Sequence, residues 1–439
     1  MIHLNGPVVS KRGRPLAGEA GAPGDKSISH RALIFGALAR GETTVTGLLE
    51  SDDVYRTGAA MRALGAEIER DGGVWRVTGA DWGSPEKALY FGNSGTGVRL
   101  VFGAAAGAGV AAAFDGDQSL RGRPMGRVLE PLRMMGREAA DTDGRLPVKI
   151  EKTEGLKAVQ CKLAAPSAQV KSAILLAALG AEGKTRVHEP VLCRDHTERM
   201  LSAFGVSLEI ESDGETGRFI SISGGQTLTA CDVTVPGDPS SAAFLVAAAV
   251  ITPQSDILVK SVLINPLRAG FYETLREMGA DIAFENRREQ NGEPVADIRA
   301  RHSQLTGVAV PLERAPSMID EYPILSIVAA YARGETMMTG LEELRVKESD
   351  RVAATETGLA ACGVDVKSGP DWLRVRGEGD VRGGARIKTH HDHRIAMGFL
   401  VLGLASEEPV EIDDGAMIAT SFPDFAERMR LLGAEITSA

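Results

Sequence analysis

Six cations and two acids stand in this sequence where they could act together on small anions. The cations are Lys26 and Arg31 in Pro23-Gly24-Asp25-Lys26-Ser27-Ile28-Ser29-His30-Arg31, and Arg123 in Arg121-Gly122-Arg123-Pro124. Lys347 and Arg351 follow in Leu344-Arg345-Val346-Lys347-Glu348-Ser349-Asp350-Arg351, and Arg394 in His390-His391-Asp392-His393-Arg394. The acids are Asp320, in Met318-Ile319-Asp320-Glu321-Tyr322-Pro323, and Glu348. In a chain of net charge −10, such a group of cations would focus a positive field on multiply charged anions. Two acids at separate stations suit removal of a proton from one reactant and delivery of a proton to another.

Taken singly, each motif also has a plain structural explanation. The first is a turn running into a helix start, where free N–H groups and partial positive charge attract anions. The same residues describe an ordinary capped surface helix. Arg121 and Arg123 on a tight turn suit bidentate anion contacts or a solvated basic turn equally. Asp320 and Glu321 before an apolar run could be helix caps, and Asp320 could be a base. Lys347 and Arg351, four apart, would share one helical face, as in many solvated charged helices.

Neutral donors add to the set. Gly92-Asn93-Ser94-Gly95-Thr96-Gly97 is a glycine-rich loop that could bring backbone N–H groups close to a phosphate or carboxylate, or be a simple turn. Ser167-Ala168-Gln169-Val170-Lys171-Ser172 opens a third helix, with Ser167 as its cap. Gly24-Asp25-Lys26-Ser27 and Gly183-Lys184-Thr185 are not phosphate loops of the Walker type, since the required glycines are missing. The run His390 to His393 is not expected to hold a metal, because neighbouring residues seldom converge on one ion.

These residues all precede similar elements. Six small-residue apolar runs begin near Ala32, Val98, Val170, Ala242, Pro323 and Ile395, and their continuous apolar character predicts helices buried on all sides. In phase with them, six helix-like segments end at Gly65, Gly136, Gly205, Gly279, Gly363 and Gly433, about 70 to 85 residues apart. Each glycine fits the left-handed position after a helix, with a strand to follow. Strand-like segments such as Thr43–Thr46, Thr185–Val187, Ile257–Val259 and Thr336–Thr339 lie between. The reading is an α/β protein of two pseudo-symmetric halves with three units each, broken near Pro236-Gly237-Asp238-Pro239.

Composition narrows the function. Acidic balance and 5% aromatic residues argue against nucleic-acid binding. Four scattered cysteines without a CxxC pair fit a reducing compartment. No apolar stretch follows Lys11, Arg12 and Arg14, and no run reaches the about 18 residues of a membrane span, so a cytoplasmic protein without membrane contact is expected.

Assembled, these motifs resemble the EPSP synthases (3-phosphoshikimate 1-carboxyvinyltransferases) of the enolpyruvyl transferase family over essentially the whole length. The Ser167-Ala168-Gln169 form and Gly340-Leu341-Glu342-Glu343-Leu344 look like the class II bacterial branch. The resemblance implies a two-domain inside-out α/β barrel, the enolpyruvyl transferase fold. It has six βαβαββ repeats, three per domain, with buried helices starting at an interdomain cleft. It also implies a discontinuous domain of residues 1–21 plus 238–439 and a second of residues 22–237, a division that repeat order alone does not suggest.

The implied reaction belongs to chorismate and aromatic amino-acid biosynthesis and needs no cofactor or metal. The 5-hydroxyl of shikimate 3-phosphate attacks C2 of phosphoenolpyruvate while C3 is protonated, and the tetrahedral adduct loses phosphate. By position, Lys26, Ser27, Arg31, Ser167, Gln169, Arg194, Asp320 and Lys347 would hold shikimate 3-phosphate. Lys26, Gly95, Arg123, Gln169, Arg351 and Arg394 would hold phosphoenolpyruvate. Asp320 would be the base on the hydroxyl, and Glu348, with Lys26, the proton donor to C3. A monomer is expected. Gly95, where glyphosate-tolerant members carry Ala, implies inhibition by glyphosate.

Two positions depart from the pattern. Ala419-Thr420-Ser421 stands before Phe422-Pro423-Asp424, where some members have a Lys, and Glu343 stands where many have Asn. Two rivals remain. A UDP-N-acetylglucosamine enolpyruvyl transferase would carry a Cys in the loop matching Ser119 to Arg123, and none is near. A non-catalytic sugar-phosphate-binding relative would have no use for both Asp320 and Glu348.

Overall fold

A computed structural model describes residues 4–152 and 155–439. The chain divides into two compact units, one of Met1–Pro23, Pro236–Glu289 and Pro294–Ala439, the other of Gly24–Val235 and Gln290–Glu293. The short excursion Gln290–Glu293 has no counterpart in the boundaries read from the sequence.

The Gly24–Val235 unit is built from three copies of one pattern. Its sheets take the orders Val233–Thr234, Glu42–Thr46, Val74–Thr78, Glu67–Asp71; Leu89–Tyr90, Ala112–Asp115, Arg145–Ile150, Ala139–Thr142; and Gln160–Lys162, Lys184–Glu189, Arg218–Ser223, Leu208–Ser212. In each, the first pair is parallel and the next two are antiparallel. The register is direct, as in Thr185↔Ile222 and Val187↔Ile220, which buries alternate residues of Lys184–Glu189.

Inside the sheets lie the helices Lys26–Leu38, Gly95–Gly107 and Ala168–Ala178. Their small residues let two of them touch backbone to backbone. A methyl at Gly103 would stand 2.1 Å from the Ala173 carbonyl oxygen, so only glycine permits this approach.

The other unit repeats the plan. Its inner helices are Pro239–Ile251, Tyr322–Ala330 and His393–Gly403. Every residue of Pro239–Ile251 is buried, as a helix apolar on all sides requires. Its sheets include Asp281–Gln290, Glu293–Arg301, Asp256–Leu263, Ala17–Gly21 and the three strands Arg333–Thr339, Trp372–Glu378, Asp365–Ser368. In the third, Val8–Lys11 is registered between Val410–Ile412 and Glu435–Ser438, with Val8 opposite both Ile412 and Ser438. The chain's first strand is thereby completed by its last.

All six repeat glycines adopt φ between 83° and 119°, each ending a helix ahead of a strand. One local expectation fails. Lys347 and Arg351 do not share a helical face, because the segment is a 3-10 turn at Glu342–Val346 and the helix Arg351–Ala361 starts only afterwards. Asp350 caps that helix, accepting from Ala353 N–H at 3.0 Å, while Lys347 has an extended ψ of −146°. No helix among the described residues is long and apolar enough to cross a membrane.

Candidate active site

In the Gly24–Val235 unit, Asp25 caps the first inner helix by accepting from Ile28 N–H at 2.8 Å. That cap leaves Lys26 and Ser27, both half-buried, in the helix's first turn. The Lys26 ammonium is ion-paired with Asp53, whose side chain is 8% exposed. Ser29 turns inward and accepts from Leu49 N–H at 3.0 Å, so it serves the fold. Arg31 is buried, and three of its donors are engaged within the protein. Nε donates to Thr197 Oγ1 at 2.8 Å, Nη1 to Ser27 O at 2.9 Å and Nη2 to Ser172 Oγ at 2.8 Å. Burial, with the nearby Arg194 charge, outweighs Glu198, Asp25 and Glu293 and lowers the Arg31 pKa to about 10.

The second and third inner helices of this unit supply a linked set. Ser94 caps the second, accepting from Gly97 N–H at 3.2 Å, and buried Gly95 is its first residue. Gln169, at the start of the third, accepts from Arg99 Nη1 at 3.1 Å and donates to Thr96 Oγ1 at 3.0 Å. Arg99 also donates to Gly95 O and Pro124 O, and Arg123 Nη2 donates to Asn93 Oδ1 at 2.6 Å. Gly95, Arg123 and Gln169 are thereby brought together, with two guanidinium groups beside the glycine. Ser167 caps the third helix through Val170 N–H at 3.4 Å. Arg194 lies half-buried on the stretch before the helix His196–Ala203.

In the other unit, one guanidinium gathers three carboxylates. Arg351, 1% exposed, donates from Nη2 to Glu348 Oε2 at 2.6 Å, from Nη1 to Asp320 Oδ1 at 3.3 Å and from Nε to Asp392 Oδ2 at 2.8 Å. Burial disfavours the Arg351 charge, but Asp392, Glu348 and Asp320 outweigh it, and its pKa rises. Burial likewise pushes Asp392 up, yet Arg351 and His393 outweigh this and hold it below the usual range. Asp392 also caps the His393–Gly403 helix through Arg394 N–H at 2.9 Å and accepts from Ser349 Oγ at 3.0 Å. Arg394 Nη1 donates to Asp320 O at 3.0 Å. Asp320, Glu348, Arg351 and Arg394 thus form one cluster, two acids and two cations, ahead of two inner helices. Lys347 is half-buried on the irregular stretch that precedes Glu348.

His390 and His391 are exposed with positive φ, while His393 is buried and faces Thr420 Oγ1 at 3.4 Å, so the three do not converge. Among the described residues, the grouping with metal-ligand spacing is Asp195, His196 and Glu293. There Arg199 Nε stands 3.0 Å from Asp195 Oδ1, and His196 Nδ1 is hydrogen-bonded to Glu293 Oε1 at 2.7 Å, so each of the three already has a partner within the protein.

Both sets put cationic side chains at helix starts, and one adds two acids on a shared guanidinium. A sequence model of EPSP synthase (3-phosphoshikimate 1-carboxyvinyltransferase) matches residues 10–429. The chain belongs to that family. It is 56% identical to the 3-phosphoshikimate 1-carboxyvinyltransferase of Phenylobacterium zucineum, over 98% of this chain and 95% of the relative. It is also 56% identical to the enzyme of that name from Cereibacter sphaeroides, over 98% of both chains. An EPSP synthase structure from Acinetobacter baumannii superposes with a TM-score of 0.89 at 42% identity, covering 98% of this chain and 99% of that one.

For an EPSP synthase, the residues that sequence reading passed over are the partners. Asp53 was signalled only by its place after Ser51 at a helix start, and Arg99 by its position one turn after Gly95. Asp392 lay within a motif whose histidines drew attention. Thr197 and Ser172, which hold Arg31, are distant in sequence and carry no local signal.

Proposed function

We propose that this protein transfers the enolpyruvyl group of phosphoenolpyruvate to the 5-hydroxyl of shikimate 3-phosphate, releasing phosphate. The reading is carried by the presence of Asp320 and Glu348 on one guanidinium, Arg351, in a member of the EPSP synthase family matched over residues 10–429. Anion binding alone would place cations there. An addition–elimination needs in addition a group to take the hydroxyl proton and one to supply a proton to C3.

In the proposed reaction Asp320 removes the hydroxyl proton as the oxygen attacks C2, and Glu348, with Lys26, delivers the proton to C3. Arg123, Arg351 and Arg394 bind the phosphoenolpyruvate anion and offset the charge that remains on its carboxylate and phosphate in the adduct. Gly95 leaves room beside it, and Gln169 orients both substrates. Lys26, Ser27, Arg31, Ser167, Arg194 and Lys347 hold shikimate 3-phosphate. Glu348 then takes a proton back from C3 as the bond from C2 to the phosphate oxygen breaks, and the proton that Asp320 took from the hydroxyl passes to the departing phosphate. No residue needs to form a covalent bond to the substrate. That distinguishes the reading from a cysteine-dependent relative, since no Cys lies between Ser119 and Arg123.

The test is phosphate release from phosphoenolpyruvate with shikimate 3-phosphate as acceptor, in parallel with UDP-N-acetylglucosamine. Release with the first acceptor only is expected, reduced about 10²–10⁴-fold in Asp320→Ala and Glu348→Gln. No release by the unmodified protein sinks the function, and normal rates in both variants sink the acid–base roles.

A further inference from the structure

The strand Lys184–Glu189 ends on a carboxylate that is 0% exposed and stands outside the proposed chemistry. Glu189 Oε1 accepts from Lys171 Nζ at 2.7 Å and from Cys193 N–H at 2.9 Å, and Oε2 accepts from Arg218 Nε at 2.6 Å. Lys171, also 0% exposed, stands 2.8 Å from Glu198 Oε1 and donates to Cys193 O at 3.3 Å. Arg218 Nη2 reaches Glu198 Oε1 at 3.1 Å and Cys193 O at 3.5 Å. Glu189 therefore holds Cys193 by its N–H, Lys171 and Arg218 hold it by its C=O, and Glu198 links the two cations.

Buried charges are a costly way to hold elements together, since an apolar cluster of equal volume would do so without desolvation. What they add is direction, because each bond fixes a backbone group at a set angle. The group fixed here is the residue before Arg194. Arg194 in turn stands three residues before Thr197, whose hydroxyl accepts from Arg31 Nε at 2.8 Å. An anion bound between the two guanidinium groups would be attracted by both.

We propose that Glu189, with Lys171 and Arg218, is a positioning group that fixes the Cys193 backbone and thereby aims Arg194 at the phosphate of shikimate 3-phosphate. The proposal rests on the function proposed above, in which Arg194 contacts that phosphate. Selectivity for the phosphorylated ring then depends on a carboxylate that never touches the ligand.

The experiment is calorimetric titration of the whole two-unit chain with shikimate 3-phosphate and with shikimate, which lacks the phosphate. In Arg194→Ala the preference for the phosphorylated ligand should fall by about tenfold or more, the scale of one charge-assisted bond. Glu189→Gln should lower the preference similarly while shikimate affinity stays unchanged. Glu189→Gln combined with Arg194→Ala should be no worse than Arg194→Ala alone. Should Glu189→Gln fail to fold, Arg218→Lys, which keeps the charge but loses the forked donation to Cys193 and Glu198, is judged by the same criteria. An equal loss for both ligands, or an additive double variant, shows a merely structural role and overturns the proposal. If Arg194→Ala lowers the preference and the network variants leave it intact, the positioning role falls and the phosphate contact stands. If Arg194→Ala itself changes nothing, the phosphate contact falls, and the proposal with it.

Discussion

Arg351 Nη2 stands 2.6 Å from Glu348 Oε2, three residues away on the same segment, yet its side chain is 1% exposed and that of Glu348 is 24% exposed. One partner is therefore anchored and the other is reachable. Arg351→Ala should leave Asp392 and its neighbours without their buried cation and destabilise the protein by about 3–5 kcal/mol. Glu348→Gln removes only a half-exposed charge, so urea unfolding should change little while turnover falls. Equal stability losses in the two variants would contradict this division.

Lys26 and Arg31 should also part company. Lys26 is ion-paired with Asp53 and stands half-buried in the helix's first turn, whereas Arg31 is engaged with Thr197, Ser172 and Ser27. Lys26→Ala should raise KM for both substrates, with a modest change in unfolding midpoint. Arg31→Ala should raise KM for shikimate 3-phosphate alone and cost several kcal/mol of stability, because buried hydroxyls lose their donor. Steady-state kinetics beside thermal unfolding separates the two.

These partnerships mark where the sequence is readable and where it is not. Gly65 through Gly433 announce six helix ends because a left-handed residue after a helix is a local demand that glycine meets. The inner helices are legible for a similar reason, since an unbroken apolar run such as Ala242–Ile251 has no polar face to turn outward. Lys347 and Arg351 misled because spacing implies a shared face only within a helix, and the Asp350 cap starts that helix too late. Lys171 was unreadable in another way. Its partners Glu189 and Glu198 come from a strand and a second helix, Arg218, which shares both acids, comes from a further strand, and nothing in the local pattern marks Lys171 as buried.

Histidine burial sets the acid limit of the fold. His30 is wholly buried, with Nδ1 2.8 Å from Thr57 Oγ1, and burial together with Lys26 lowers its pKa from 6.5 to about 3. Burial likewise lowers His393, in the other unit, to about 4. The unfolded chain takes up these protons near pH 6.5 and the folded chain does not. Stability contributed by the neutral rings is therefore whole above about pH 6.5 and lost as pH falls toward about 4 for His393 and about 3 for His30. Between pH 7.5 and 5 each ring should cost about 2 kcal/mol, at about 1.4 kcal/mol per unit below its unfolded pKa. Urea titrations at the two pH values should show this loss, and His30→Gln should remove about half of it. A pH-independent midpoint over that range would show that neither ring resists protonation.

Gly95 offers the most direct route from geometry to inhibitor response. A methyl built there would lie 2.9 Å from Arg99 Nη1 and 3.1 Å from Arg123 Nη1, both at the far ends of long side chains. Gly95→Ala should therefore fold, since guanidinium groups can swing aside where backbone could not. Helix propensity also favours Ala over Gly by about 1 kcal/mol within a helix. The displaced groups include Arg123, proposed to bind phosphoenolpyruvate, so KM for that substrate should rise several-fold while KM for shikimate 3-phosphate holds. Glyphosate, longer than phosphoenolpyruvate, should lose more than the substrate does. The unmodified protein should thus be inhibited at limiting phosphoenolpyruvate, and Gly95→Ala should tolerate at least about tenfold more glyphosate, the equivalent of 1.4 kcal/mol. Equal inhibition of both proteins would show that the space beside Gly95 is not where the inhibitor lies.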